Sequence, residues 1–109
     1  MIPIEIDCAS VKNKLDLDEP FFFLDCREQD EHAQVNIPQA TLLPMSEIQD
    51  RVAELDAHKA EDVIVMCHHG GRSLQVAMWL RQQGFVKAQS MSGGIDVWAQ
   101  TIEPGMTRY

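Results

Sequence analysis

Short apolar runs alternate with amphipathic stretches along the whole chain, and this alternation limits the possible folds more than any other feature. The strongest run is DVIVMC (62–67), which is rich in β-branched residues and bounded by charge. FFFLDC (21–26), FVKAQSM (85–91), MIPIEI (1–6) and ATLLP (40–44) are predicted as further strands. Strands that alternate with helices indicate βαβ units. We therefore expect an α/β fold with a mainly parallel central sheet of about five strands and helices on both faces.

The amphipathic stretches carry signals for where helices begin and end. Asp7 is placed to cap a helix over DCASVKNKL, and REQDEHA is predicted as a short helix. SEIQ has a capping-box pattern, in which Ser46 is the predicted N-cap and Gln49 the third helical residue. RSLQVAMWLRQQG is predicted as a helix that ends at Gly84, and GGIDVWAQ as a short terminal helix. All of these helices except the terminal one thus fall between strands, where the crossovers of a parallel sheet belong.

Composition limits the class of protein and its partners. Of the 109 residues, 45% are apolar and 24% charged, which is typical of a globular chain and predicts one domain over residues 1–109. The formal net charge of −8 argues against nucleic acid and membrane surfaces as partners, because both are polyanions. No apolar run has the length of a membrane span, and MIPIEIDCAS lacks the features of a signal peptide. A cytoplasmic location is therefore expected.

The segment CHHGGRS, between a predicted strand and a predicted helix, is the candidate functional site. In such a sheet the ligand site lies beyond the carboxyl ends of the strands, where Cys67 stands. Gly70 and Gly71 suit a turn that points backbone N–H groups inward, and the following helix adds its positive end. A thiol at the head of this loop, close to Arg72, should ionise readily. We therefore predict that Cys67 is a nucleophile; a buried core cysteine is the alternative.

Spacing argues against two other uses of this cysteine. A zinc site needs ligands in separated pairs, and Cys8, Cys26 and Cys67 form none. Their odd number and wide separation also predict free thiols rather than disulfides. Cysteine-dependent phosphatases hold a tetrahedral phosphate in a loop that has one residue more than the four between Cys67 and Arg72. The shorter loop suits a smaller group on the sulfur.

The segment CHHGGRS resembles the Cys-x-x-Gly-x-Arg-Ser loop of single-domain rhodaneses, which are sulfurtransferases. FFLDCRE is similar to that family's strand ending in Asp-Val-Arg-Glu, NIPQATLLP to its His-Ile-Pro-Gly-Ala segment, and MSGGIDVW to its Leu-x-Gly-Gly-x-x-x-Trp segment. The four elements occur in the same order and span almost the whole chain. Cys26 stands where valine is usual. The resemblance implies the rhodanese-like fold.

The resemblance also implies a reaction and a set of site residues. Cys67 would take a sulfane sulfur from a donor such as thiosulfate, forming a persulfide, and pass it to cyanide, a thiol or a partner protein in a sulfur relay. No metal or organic cofactor is implied. The residues expected to bind the sulfur and the substrate are His68, His69, Gly70, Gly71, Arg72 and Ser73, together with Arg27.

Several roles stay open at the level of sequence. Arg72 either contacts an anionic donor or braces the loop, and Arg27 either receives the donor or pairs with Asp25 or Glu28. Ser73 is either a helix cap or a substrate contact. The other two cysteines, Cys8 and Cys26, are expected to be inert core thiols, and a resolving role is the alternative. The alternative functions are a non-catalytic rhodanese-like module that binds a partner or senses redox state, and a phosphatase or arsenate-reductase-like enzyme.

Overall fold

The computed structural model describes residues 2–109, which form one five-stranded parallel sheet with helices on both faces. The strands are β1 (Glu5–Ile6), β2 (Phe22–Asp25), β3 (Thr41–Leu42), β4 (Val63–Met66) and β5 (Ala88–Met91). They lie in the order β1-β5-β4-β2-β3, and all four neighbouring pairs are parallel. The predicted α/β class and parallel sheet are confirmed. Because β4 is the central strand, the chain leaves it at the middle of the carboxyl edge.

The first helices occupy the crossovers between the strands, and the last helix follows the final strand. They are α1 (Cys8–Asp16), α2 (Gln29–Gln34), α3 (Ile48–Arg51), which continues as a 3-10 helix over Val52–His58, α4 (Gly71–Gln82) and α5 (Gly94–Thr101). Asp7 caps α1 as predicted, since its carboxylate accepts the backbone N–H of Ser10 at 2.7 Å. Within residues 2–109, no helix is both long enough and apolar enough to cross a membrane.

Successive side chains of the central strands enter two separate cores, one on each face of the sheet. Leu24, Val63 and Val65 pack in one core, and Phe23 and Ile64 in the other. Both faces are covered, which explains why these strands are continuous apolar runs rather than alternating ones. Burying each large apolar side chain stabilises the fold by roughly 1.5–3 kcal/mol before the entropy of ordering is counted.

The predicted capping box at Ser46 is wrong. Helix α3 begins two residues later, at Ile48, and Glu47 at its cap position makes no side-chain cap bond. The Ser46 hydroxyl instead donates to Glu28 Oε1 at 2.7 Å. A capping carboxylate lies at α2, where Glu31 accepts the backbone N–H of Glu28 at 3.1 Å. Ser46 therefore satisfies a carboxylate that is distant in sequence, a contact that the local pattern does not encode.

Candidate active site

Cys67 lies at the bottom of the loop that joins β4 to α4, with only 1% of its surface exposed. The backbone N–H of Gly70 donates to Cys67 Sγ at 3.1 Å, and that of Ser73 at 3.3 Å. The chain curls around the sulfur because Gly70 has a φ of +108° and α4 starts at the next residue. Two N–H groups that converge on one sulfur form an arrangement suited to a negative charge.

The side chain of Ser73 also faces the sulfur. Its Oγ lies 3.4 Å from Cys67 Sγ and 2.7 Å from the hydroxyl of Ser90 on β5. Ser73 is the third residue of α4, and Gly70 occupies the cap position. Ser73 is therefore a contact of the nucleophile and not the helix cap. Sequence reasoning missed Ser90, because no local pattern around this residue indicates that its side chain contacts Ser73, which is 17 residues earlier in the chain.

The surroundings of Cys67 lower its pKa to about 4. The largest cause is the neighbouring Cys26 thiol; burial opposes the shift, and the hydroxyl and N–H of Ser73 and the N–H of Gly70 add to it. A thiol with this pKa is a thiolate at neutral pH, which is the reactive form of cysteine. Burial raises the pKa of Cys8 to about 11, and the nearby Cys67 raises that of Cys26. Cys67 is therefore the only one of the three cysteines to ionise at neutral pH.

The lowered pKa can be measured directly. We expect the thiolate absorbance of the wild type, minus that of Cys67→Ser, to stay constant from about pH 8 to about pH 5 and to fall only below that. Ser73→Ala should move the midpoint upward, because it removes a hydroxyl that favours the thiolate. A wild-type midpoint near the ordinary thiol value of about 8.5 would contradict this account of the site.

Only one of the two glycines in the loop is required by its conformation. Gly70 has a positive φ, and a Cβ there would lie 3.2 Å from the backbone nitrogen of Gly93. Gly71 has an ordinary helical conformation, and a Cβ would meet no atom within 4 Å. The sequence pattern does not distinguish the two glycines, whereas the structure assigns the turn to Gly70.

The start of α5 supports the active-site loop from the other side. The backbone N–H of Ile95 donates to the carbonyl of Cys67 at 2.9 Å, and that of Asp96 to the carbonyl of His68 at 3.0 Å. Gly94 has a φ of +60°, and a Cβ on it would collide with both of these carbonyl groups. Gly94 thus allows α5 to lie within hydrogen-bonding distance of the loop.

Arg72 braces the loop against α2. Its guanidinium makes two hydrogen bonds to Glu31, at 2.7 and 2.8 Å. Hydrogen bonding by Arg72 lowers the pKa of Glu31 to about 2, although partial burial opposes the shift, so the carboxylate stays charged at neutral pH. Of the two roles considered for Arg72, the structure favours bracing. Sequence reasoning missed Glu31, because REQDEHA contains several acidic residues. No local pattern indicates which of them pairs with Arg72, 41 residues away.

Arg27 is completely buried, and its guanidinium is occupied by partners other than the sulfur. Its guanidinium pairs with Asp25 at 2.8 Å, and both side chains have no exposed surface. It also donates to the carbonyl of Val35 at 2.8 Å and to the Tyr109 hydroxyl at 3.2 Å. These bonds tie the end of β2 to α2 and to the carboxyl-terminal tyrosine. The structure therefore favours pairing with Asp25 over receiving the donor.

The two histidines of the loop form a stack of three rings with Tyr109. The ring of His68 stacks between His69 and Tyr109, with both centroid distances at 3.9 Å. His69 is exposed, whereas His68 Nε2 is buried and has no hydrogen-bond partner within residues 2–109. The Tyr109 hydroxyl donates to Glu31 Oε2 at 2.7 Å. Tyr109 thus connects the histidines to the Glu31–Arg72 brace, which sequence reasoning did not anticipate. Among residues 2–109, no three side chains of His, Cys, Asp or Glu are placed to bind a metal ion together.

Comparison with known proteins identifies the family. A model of the rhodanese-like domain matches residues 7–101. The chain is 38% identical over 96 residues to a protein of Allochromatium vinosum named sulfurtransferase, and the match covers 88% of each chain. It is 36% identical over 74 residues to the thiosulfate sulfurtransferase GlpE of Coxiella burnetii, a match that covers 68% of this chain and 67% of that protein. The crystal structure of a rhodanese-like domain protein from Staphylococcus aureus superposes with a TM-score of 0.80 at 30% identity, covering 98% of this chain and 99% of that one. The chain therefore belongs to the rhodanese-like domain family, as its sequence predicted, and the relatives it matches include named sulfurtransferases.

Proposed function

We propose that the protein transfers sulfane sulfur from a donor such as thiosulfate to a nucleophilic acceptor through a persulfide on Cys67. The observation that carries the proposal is the geometry at Cys67: two backbone N–H groups donate to its sulfur, in surroundings that lower its pKa well below the ordinary value of a thiol. A thiolate is the form that attacks a sulfur donor. The sulfurtransferase names of the relatives support the same reaction class.

The reaction takes two displacements at sulfur. Cys67 Sγ attacks the outer sulfur of thiosulfate, the S–S bond of the donor breaks, and sulfite leaves with the bonding electron pair. An acceptor such as cyanide then attacks the outer sulfur of the persulfide, thiocyanate leaves, and the Cys67 thiolate returns. A thiol or a partner protein can take the place of cyanide. Because the first product leaves before the second substrate reacts, ping-pong kinetics are expected.

The loop's part in this reaction is electrostatic. The outer sulfur of a persulfide carries negative charge, and we expect the backbone N–H groups of the loop from His68 to Ser73 to stabilise that charge. Fixed dipoles of this kind stabilise charge without having to reorganise during the reaction. The bonds that Gly70 and Ser73 already make to the sulfur support this role. Arg72 acts indirectly, since its pairing with Glu31 holds α4 and the loop against α2.

The proposal is tested by following the mass of the protein. Incubation with thiosulfate should add the mass of one sulfur atom and release one equivalent of sulfite, and cyanide should then remove the sulfur as thiocyanate. Cys67→Ser should take up no sulfur. Cys8→Ser is the matched control, because Cys8 is equally buried but lies in the core on the opposite face of the sheet. Sulfur uptake by Cys67→Ser, or none by the wild type, would overturn the proposal.

A further inference from the structure

A second thiol lies directly beside Cys67. Cys26 follows β2 as Cys67 follows β4, and the preceding residues, Asp25 and Met66, are paired across the two strands. The N–H of Cys26 donates to the carbonyl of Met66 at 3.0 Å, which continues the pairing by one residue. Both cysteines point into the same core, and Cys26 has no exposed surface. They therefore occupy neighbouring positions on adjacent strands with their side chains on one face.

This placement is compatible with a disulfide. Adjacent strands lie about 4.7–4.9 Å apart, within the range of Cα separations that a disulfide spans. The third cysteine has no such neighbour, because Cys8 lies in the other core and its thiol donates to the carbonyls of Ser92 and Gly94. Cys26 is thus the one thiol able to reach Cys67 without a change of fold.

We propose that Cys26 is a resolving thiol that discharges the Cys67 persulfide as hydrogen sulfide and leaves a Cys26–Cys67 disulfide. This inference rests on the proposed function, since it starts from the persulfide. It gives the protein a second activity, the reduction of sulfane sulfur to sulfide, when no external acceptor takes the sulfur.

The step balances in atoms and electrons. Cys26 Sγ attacks Cys67 Sγ and forms the new S–S bond, while the bond from Cys67 Sγ to the outer sulfur breaks. The outer sulfur leaves with that electron pair and takes the proton of Cys26, so it departs as HS⁻. The two cysteine sulfurs are oxidised to a disulfide and the sulfane sulfur is reduced to sulfide. An external dithiol, which is itself oxidised to a disulfide, then restores both thiols.

The raised pKa of Cys26 makes this step slow, whereas the neighbouring position of the two thiols favours it. The Cys67 thiolate and burial both raise the pKa of Cys26, so Cys26 stays protonated while Cys67 is free. Persulfide formation moves the negative charge from Cys67 Sγ to the outer sulfur and so weakens the larger of these two causes. Cys26 is also held next to its target, which gives an intramolecular attack a high effective concentration. The persulfide should therefore survive long enough to meet an acceptor and then decay internally.

The experiment compares the lifetime of the persulfide in three proteins that start equally loaded. The wild type, Cys26→Ser and Cys8→Ser are charged with thiosulfate or, separately, with inorganic tetrasulfide, then freed of reagent without oxygen and followed by intact mass. The serine at position 26 keeps a polar hydrogen beside Cys67 but cannot form a disulfide. We expect the wild type and Cys8→Ser to release one equivalent of sulfide, to lose two hydrogens relative to the reduced protein, and to yield a peptide cross-linked through Cys26 and Cys67. The persulfide of Cys26→Ser should last at least about tenfold longer.

The outcomes separate this inference from the proposed function. Equal lifetimes in the wild type and Cys26→Ser, or sulfide release without the cross-linked peptide, would overturn the resolving role while leaving thiocyanate formation in place. Loading and internal discharge with tetrasulfide, but no loading with thiosulfate, would support the resolving role and contradict the proposed donor. A protein that gains no sulfur from either reagent contradicts both.

Discussion

Replacing Gly94 with alanine should lower the Tm by about 10 °C or more, because the change costs roughly 2–5 kcal/mol and each kcal/mol lowers the Tm of a domain of this size by several degrees. Two effects add at this position. The backbone has a φ of +60°, which costs an alanine energy, and the new Cβ would meet the carbonyl groups of Cys67 and His68. The collision pushes α5 away from the carbonyls that Ile95 and Asp96 bind. Sulfur uptake by Cys67 should fall as well, since the loop loses its support.

Gly105→Ala is the matched control for this change. A Cβ at Gly105 would meet no atom within 4 Å, and its backbone does not have a positive φ in the range that disfavours alanine. Thermal unfolding followed by circular dichroism should therefore give a Tm close to that of the wild type. Equal Tm values for Gly94→Ala and Gly105→Ala would contradict the close approach of α5 to the active-site loop.

Asp25→Asn should destabilise the protein by about 3–5 kcal/mol, because it leaves a buried guanidinium without its counter-charge. Neither Asp25 nor Arg27 has any exposed surface, and the carboxylate also accepts the backbone N–H of Arg27 at 3.0 Å. The asparagine has almost the same shape, so the loss reports the charge and its hydrogen bonds rather than a cavity. Urea unfolding monitored by tryptophan fluorescence measures it, with the slope of the transition checked for change.

An exposed ion pair serves as the comparison for the buried one. Glu54 pairs with Arg51 at 2.8 Å, but both side chains are substantially exposed. Glu54→Gln should change the free energy of unfolding by less than about 1 kcal/mol, as exposed pairs do. If Asp25→Asn is no more destabilising than Glu54→Gln, the Arg27 guanidinium is satisfied by solvent or by another group, and its pairing with Asp25 does not stabilise the end of β2.

The parts of the site that sequence predicts are those formed by consecutive residues. VIVMC fixes a buried strand, and the two glycines and the arginine that follow indicate a turn into a helix, so the position of Cys67 at the carboxyl edge is predictable. The same local logic places Asp7 at the start of α1. These predictions succeed because backbone conformation within a few residues determines them.

The parts that sequence does not predict depend on contacts between distant residues. Glu31, Ser90 and Tyr109 approach the loop from α2, β5 and the carboxyl-terminal segment, and each is an ordinary polar residue in its own local context. Ser46 illustrates the same limit. Its local sequence predicts a helix cap, but its hydroxyl donates instead to the carboxylate of Glu28, which is 18 residues away. The neighbouring position of Cys26 and Cys67 likewise emerges only once β2 and β4 are known to be adjacent.

The stacking of Tyr109 on His68 has a practical consequence for protein engineering. Because the tyrosine ring stacks on His68 of the active-site loop and its hydroxyl donates to Glu31, a peptide joined after residue 109 begins beside this loop. Residues 2–4, which precede β1, lie toward the amino edge of the parallel sheet, on the side opposite to the loop. A purification tag or fluorescent fusion attached before β1 should therefore leave access to the active-site loop unchanged. One attached after Tyr109 lies next to that loop and should obstruct access to it.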